Sequence, residues 1–160
     1  MPLEFKKINS EMGRPLARFF RHLNKSRDTQ WFHPHPLTSL QAKKICAYRG
    51  KDLYYVAMNQ DHILAYGMLR GWDEGWKTPS LGIAMHQDVR RKGLAKAFMH
   101  FLHAAARAKE AREVRLKVHP ENVHAVMLYA SIGYRFRKKM EDNQMVGFMN
   151  VRAKKIEGNF

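Results

Sequence analysis

Cys46 is the only cysteine in the 160-residue chain, so no intrachain disulfide braces the fold. His33 and His35 offer at most two metal ligands at i, i+2 spacing, and no Cys/His cluster completes a set. No apolar run approaches the roughly 20 residues that span a membrane. The first residues, Met-Pro-Leu-Glu-Phe-Lys-Lys-Ile, lack the apolar core of a signal peptide, and the expected location is cytoplasmic. Nothing supplies Gly-x-x-x-x-Gly-Lys-Ser/Thr, which excludes a P-loop, and no turn carries the three spaced glycines of a dinucleotide fingerprint. Acidic side chains are scarce: 14 Asp and Glu face 29 Lys and Arg, a formal charge of +15.

That imbalance raises nucleic acid as a partner. The excess is nevertheless diffuse, with 13 basic against 7 acidic residues in 1–80 and 16 against 7 in 81–160. No zinc-finger, RRM, KH or basic-zipper pattern accompanies it. A diffuse positive field steers a phosphate-bearing coenzyme as readily as a polynucleotide. Apolar residues make up 45% of the chain, which excludes a disordered polymer. The length suits one domain over residues 1–160 that buries roughly 70% of its unfolded surface.

What the chain does contain is concentrated between residues 81 and 134. The apolar run Leu81-Gly82-Ile83-Ala84-Met85 leads into His86-Gln-Asp-Val-Arg-Arg-Lys-Gly-Leu-Ala95, where a helical pattern begins. A helix start presents unpaired N–H groups and the positive end of the macrodipole, both of which attract phosphate. Gly93 and Ala95 keep bulk away from that backbone, while Arg90, Arg91 and Lys92 add charge-assisted contacts. The turn is suited to grip a diphosphate. Further on, Val114, Leu116 and Val118 alternate with Arg115 and Lys117, the period of a half-buried strand. Pro120 and Asn122 then signal a helix start, and Gly133 a stop. On that helix Asn122, Ala125 and Tyr129 share one face.

Arg90-x-x-Gly93-x-Ala95 resembles the acyl-CoA-binding turn of the GNAT superfamily of N-acyltransferases, Arg/Gln-x-x-Gly-x-Gly/Ala. Asn122, Ala125, Leu128, Tyr129, Gly133 and Tyr134 match its second signature, Asn-x-x-Ala-x-x-Leu-Tyr followed by Gly-Tyr/Phe. Gln87 departs from the pattern, since many members have proline there.

The periodicities predict strands at 3–9, 52–59, 63–70, 80–86, 113–118, 134–138 and 145–151. Helices are expected at 11–24, near 38–47 with Thr38 or Ser39 as cap, from the phosphate turn to about 109, and at 121–132. This order, β-α-α-β-β-β-α-β-α-β-β, resembles the GNAT fold, an α/β (mixed α+β) architecture with a mainly antiparallel sheet flanked by helices. The resemblance implies that the 80–86 strand and its successor splay apart to admit the pantetheine arm. Ile83, Ala84, Met85, Arg90, Arg91, Lys92, Gly93, Leu94, Ala95, Asn122 and Tyr129 are the expected coenzyme contacts. It also implies direct attack of an amine on the thioester, with Met85 N–H polarising the carbonyl and Tyr129 protonating or hydrogen-bonding the departing sulfur.

A base must take the proton of the attacking amine. Glu74, Asp73, His86 and His119 are candidates, with Glu74 first because its loop precedes the coenzyme-binding strand. Phe32, His33, His35, Asp73 and Glu74 are the expected acceptor-side residues, on two aromatic segments, Trp31–Pro36 and Gly71–Trp76. An aromatic-walled pocket with carboxylates suits a small amine, an amino sugar being one example. Acetyl-CoA is the expected cosubstrate, with no metal; nucleic acid and membrane rank below, and a homodimer is left open. The alternative readings are a basic nucleic-acid-binding module on the same scaffold and a catalytically silent acyl-CoA sensor.

Overall fold

The computed structural model describes residues 2–90 and 92–152. Its elements in chain order are β1 (Glu4–Lys7), α1 (Gly13–Lys25), α2 (Ser39–Ala47), β2 (Leu53–Asn59), β3 (His62–Arg70), β4 (Ser80–Met85), α3 (Leu94–Ala108), β5 (Glu113–Val118), α4 (Val123–Ile132), β6 (Arg135–Phe136) and β7 (Met145–Asn150). The order is the one the periodicities predict.

Boundaries shift for local reasons. Asn9 accepts the N–H of Glu11 (2.9 Å), so Ser10–Met12 winds as a single 3-10 turn and α1 starts only at Gly13. Pro15 falls in the first turn of α1, where its missing N–H would have had no partner. Thr38 caps α2 through Gln41 N–H at 3.1 Å. The strand expected at 134–138 pairs only at Arg135 and Phe136. Arg137 still donates to Val146, after which the chain enters an exposed turn with Asp142 and Asn143 in the left-handed region.

The seven strands form one sheet in the order β1-β2-β3-β4-β5-β7-β6, and every neighbouring pair is antiparallel except β4/β5. Side-chain alternation divides the core in two. One face takes Leu16, Phe20 and Leu23 of α1 and Ile45 of α2 against Val56, Tyr66, Met68 and Ala84. The other takes Phe98, Met99, Leu102 and Ala106 of α3 against Ala57, Ala65, Leu69, Leu81, Val114 and Leu116. Gly67 allows α3 to sit this close: a Cβ there would lie 2.8 Å from Leu102 and 2.9 Å from Phe98. Among the described residues, no helix is long and apolar enough to cross a membrane.

Candidate active site

The parallel junction in the middle of the sheet is short. β4 and β5 pair only at Ser80 and Arg115, although each strand runs six residues. Beyond Ser80 they separate. Backbone groups of successive strand residues point to opposite edges, so two hydrogen bonds fix which edge each residue faces. Pro79 C=O accepts Arg115 N–H (3.0 Å) on the β5 side, and His86 N–H donates to Leu64 C=O (2.7 Å) on the β3 side. Alternation therefore turns the N–H and C=O of Ile83 and Met85 toward the gap, where the sheet ladder gives them no partner. Ala84, directly opposite Tyr66, turns its backbone to β3. Of the three expected contacts on this strand, Ile83 and Met85 thus offer free backbone groups and Ala84 does not.

At the open end of the gap, a turn beginning at His86 leads by way of Gly93 into α3. His86 stacks flat on His22 of α1 (centroids 3.7 Å apart, 8° between planes), and His22 Nε2 accepts Gln87 N–H at 3.2 Å. Burial and the neighbouring His22 hold the His86 pKa below its ordinary value. This histidine anchors the turn to α1. Gly93 stands at φ +78°, and a Cβ there would meet nothing within 4 Å, so its backbone conformation rather than crowding requires glycine. Leu94 and Ala95 open α3, half-buried, and Lys92 is exposed. Arg90 is ion-paired with Asp28 at 2.5 Å, tying the turn to the loop after α1. Arg91 lies outside the described residues.

The α4 helix lies on the α3 side of the sheet. Asn122 occupies its N-cap position, yet its side chain makes no capping hydrogen bond. Tyr129 packs on the same apolar cluster as Ile83 and Met85, with its ring 5.9 Å from that of Tyr134. Burial raises the Tyr129 phenol to about 12, so it stays protonated at neutral pH.

Over the Ser80–Arg115 junction, on the face that carries their side chains, lies a cavity of about 660 Å³. Trp31, Phe32 and His33 form one wall, Asp73, Glu74 and Trp76 another, and Ser80, Leu81 and Gly82 continue the floor up to the gap. The two aromatic segments thus converge, with exceptions. His35 does not line the cavity: its Nε2 bonds to the Tyr66 hydroxyl (2.9 Å) and its ring lies against Phe20, so it belongs to the core. Burial lowers its pKa. Trp72 packs on the other face of the sheet beneath the Lys109 ammonium. Asp73 accepts from the Tyr48 hydroxyl and from Lys51 N–H, which together hold its carboxyl below the usual range and commit it to fastening the loop. Glu74 lines the cavity, exposed and without an ion pair among the described residues. His33 and His119 meet Nε2 to Nε2 at 3.3 Å, closing the cavity wall onto the end of β5.

Several residues at this site escape a reading of the sequence. Asp52 is buried and accepts the N–H groups of Gly71 (3.0 Å) and Trp72 (2.9 Å), shaping the 71–76 wall. Arg70, Arg115 and Lys117 rise from the floor. On paper they are the polar positions of half-buried strands, and only the strand order shows that they share a covered face. Among the described residues, no group of three or more His, Cys, Asp or Glu is gathered for a metal ion.

A family model described as the acetyltransferase (GNAT) family matches residues 17–134. Curated proteins give no match. Solved structures match throughout. The GNAT domain of Streptomyces lividans PAT superposes with a TM-score of 0.77 at 16% identity, covering 92% of this chain and 90% of that one. The PaiA N-acetyltransferase of Thermoplasma acidophilum, solved with coenzyme A, gives 0.73 at 15% identity over 94% and 99%. The aminoglycoside acetyltransferase AAC(6')-Ib, solved with coenzyme A and kanamycin, gives 0.70 at 15% over 93% and 95%.

Proposed function

The chain belongs to the acetyltransferase (GNAT) family, and on that premise we propose that it moves the acetyl group of acetyl-CoA onto a small primary amine held in the 660 Å³ cavity. One observation carries the reading: the open edge of β4 runs from the turn that opens α3 at one end to the cavity at the other. Pyrophosphate sits at the start of α3, against the N–H groups there and Lys92. The pantetheine arm runs down the gap and meets the backbone of Met85 first, then that of Ile83. Because Gly82 already lines the cavity, the thioester comes to rest beside Ile83. The N–H of Ile83, one strand repeat deeper than Met85, is therefore the donor we assign to the developing oxyanion. Such a donor contributes roughly 100- to 1000-fold in rate.

The amine nitrogen attacks the carbonyl carbon, the tetrahedral intermediate collapses, and the C–S bond breaks with the electron pair leaving on sulfur. Glu74, reached directly or through water, takes the proton of the attacking nitrogen. Tyr129, with a phenol near 12, hydrogen-bonds the thiolate as it departs. A thiol is the stronger acid, so the phenol stabilises the anion without surrendering its proton. Asn122, unengaged as a cap, contacts the coenzyme beside it. Aromatic walls and a carboxylate favour an amine with an apolar face, such as an amino sugar.

Coenzyme release measured against amino sugars, polyamines, amino acids and peptides tests the reading. Turnover with small amines is expected, and Tyr129→Phe should lower kcat while leaving acetyl-CoA affinity intact. Turnover confined to peptides would overturn the acceptor assignment.

A further inference from the structure

The cavity floor holds a feature that acetyl transfer itself leaves unused. Arg70 on β3 stands opposite Ser80 on β4, and Ser80 stands opposite Arg115 on β5, so the three side chains form one row on one face of the sheet. Two strand spacings separate the arginines by roughly 10 Å at Cα. Only a serine lies between them, and Gly82, one repeat nearer the gap, adds no side chain. The row is a trough with a guanidinium on each bank.

Both guanidinium groups line the cavity. Arg70 has no carboxylate partner among the described ion pairs; its Nη2 donates to the Pro34 carbonyl at 3.2 Å, and its guanidinium also bonds the Tyr54 hydroxyl. The Arg115 side chain is 19% exposed; its outer Nη2 binds Glu141 at 2.6 Å, whereas its Nε–H is buried without a partner. An anion resting over Ser80 meets a guanidinium on either side, and the planar fork of arginine matches carboxylate or phosphate oxygens.

Resting on the acetyl-transfer reading above, we propose that the acceptor is an amine carrying a compact anion, carboxylate or phosphate, which docks between Arg70 and Arg115. The geometry also sets a spacing. Ser80 to Ile83 is three residues, roughly 10 Å along the strand. The nucleophile must stand about 3 Å short of the thioester carbon, which leaves roughly 5–8 Å between nitrogen and anion. An α-amino acid reacting through its α-amine is too short. Lysine through its side-chain amine, 5-aminopentanoate, or an amino sugar 6-phosphate spans the distance.

Matched pairs test this: lysine against cadaverine, 5-aminopentanoate against pentylamine, and glucosamine 6-phosphate against glucosamine, each followed by coenzyme release. We expect at least one anionic member to exceed its match by about tenfold or more in kcat/KM, as one charge-assisted contact allows. The pair showing the preference identifies the anion. Arg115→Gln and Arg70→Gln should each collapse that preference, with acetyl-CoA calorimetry reporting an intact fold. Equal or better turnover of the anion-free member in all three pairs overturns the anion subsite and leaves acetyl transfer standing. Absence of acetyl-CoA binding overturns the transfer reading itself. A readout free of turnover is the set of Arg70 and Arg115 guanidinium resonances: titration with 5-aminopentanoate or inorganic phosphate should shift them, and no shift in either arginine with either anion overturns the subsite.

Discussion

Gly93 offers the sharpest perturbation of the phosphate turn, because crowding and backbone strain separate cleanly there. Nothing lies within 4 Å of an added Cβ, yet φ is +78°. Alanine therefore introduces no clash with protein atoms and, in the free protein, only the cost of a left-handed conformation, about 1–2 kcal/mol for an ordinary residue. Two outcomes share that energy. If the turn keeps its shape, the fold absorbs the strain and Tm falls by about 2–4 °C per kcal/mol for a chain of this size. If the turn relaxes to negative φ, stability is spared but the N–H groups leave the pyrophosphate. Acetyl-CoA affinity then drops by about 5- to 30-fold, the same energy expressed in binding. Asparagine, which tolerates the left-handed region, should lie between glycine and alanine on the combined scale. Thermal denaturation and calorimetry on Gly93→Ala and Gly93→Asn measure both terms. An alanine variant matching the parent in both would refute the argument that this turn needs glycine for its backbone.

Gly67→Ala should destabilise by about 1–3 kcal/mol, read as a lower Tm, because its Cβ would press on Leu102 and Phe98. Asp52→Ala removes the acceptor for Gly71 and Trp72 N–H and should cost about 1–3 kcal/mol by chemical denaturation; it should also raise the acceptor KM as the 71–76 wall loosens. His103 is buried against the Tyr134 hydroxyl (2.7 Å), and burial lowers its pKa to about 4. The unfolded chain then binds this proton more tightly than the native one. Stability should be full above pH 6.5 and fall as pH drops from 6.5 toward 4, by on the order of 3 kcal/mol. Urea titrations across that window check the slope, which His103→Gln should flatten.

The helices and strands were legible because each has one dominant period: Leu16, Phe19, Phe20 and Leu23 on α1, or Val114, Leu116 and Val118 on β5. The turn proposed to take the pyrophosphate stands out in the sequence because a helix start, a glycine and three cations are contiguous in the chain. The cavity proposed for the acceptor was only half visible. Trp31, Phe32, His33 and Glu74 announce themselves as aromatic and polar loop residues, but His35 in the same motif turns into the core to meet Tyr66. Its fate depends on a strand 31 positions away. Arg70 and Arg115 were hidden for the converse reason: polar residues alternating with apolar ones imply a solvent face, and the 31–36 loop that covers that face is a tertiary feature. The gap itself follows from the single β4–β5 pair, which no local pattern encodes.

Residue-resolved amide hydrogen exchange of β4, with and without acetyl-CoA, tests the central claim most directly. Ala84 and His86 donate toward β3 and should be protected in both states, whereas Ile83 and Met85 face the gap and should exchange readily until the coenzyme binds. The expected result is an alternating gain of protection, at Ile83 and Met85 and not at Ala84 between them. Acetyl-CoA binding that leaves both amides unchanged, or protects the strand uniformly, would contradict it.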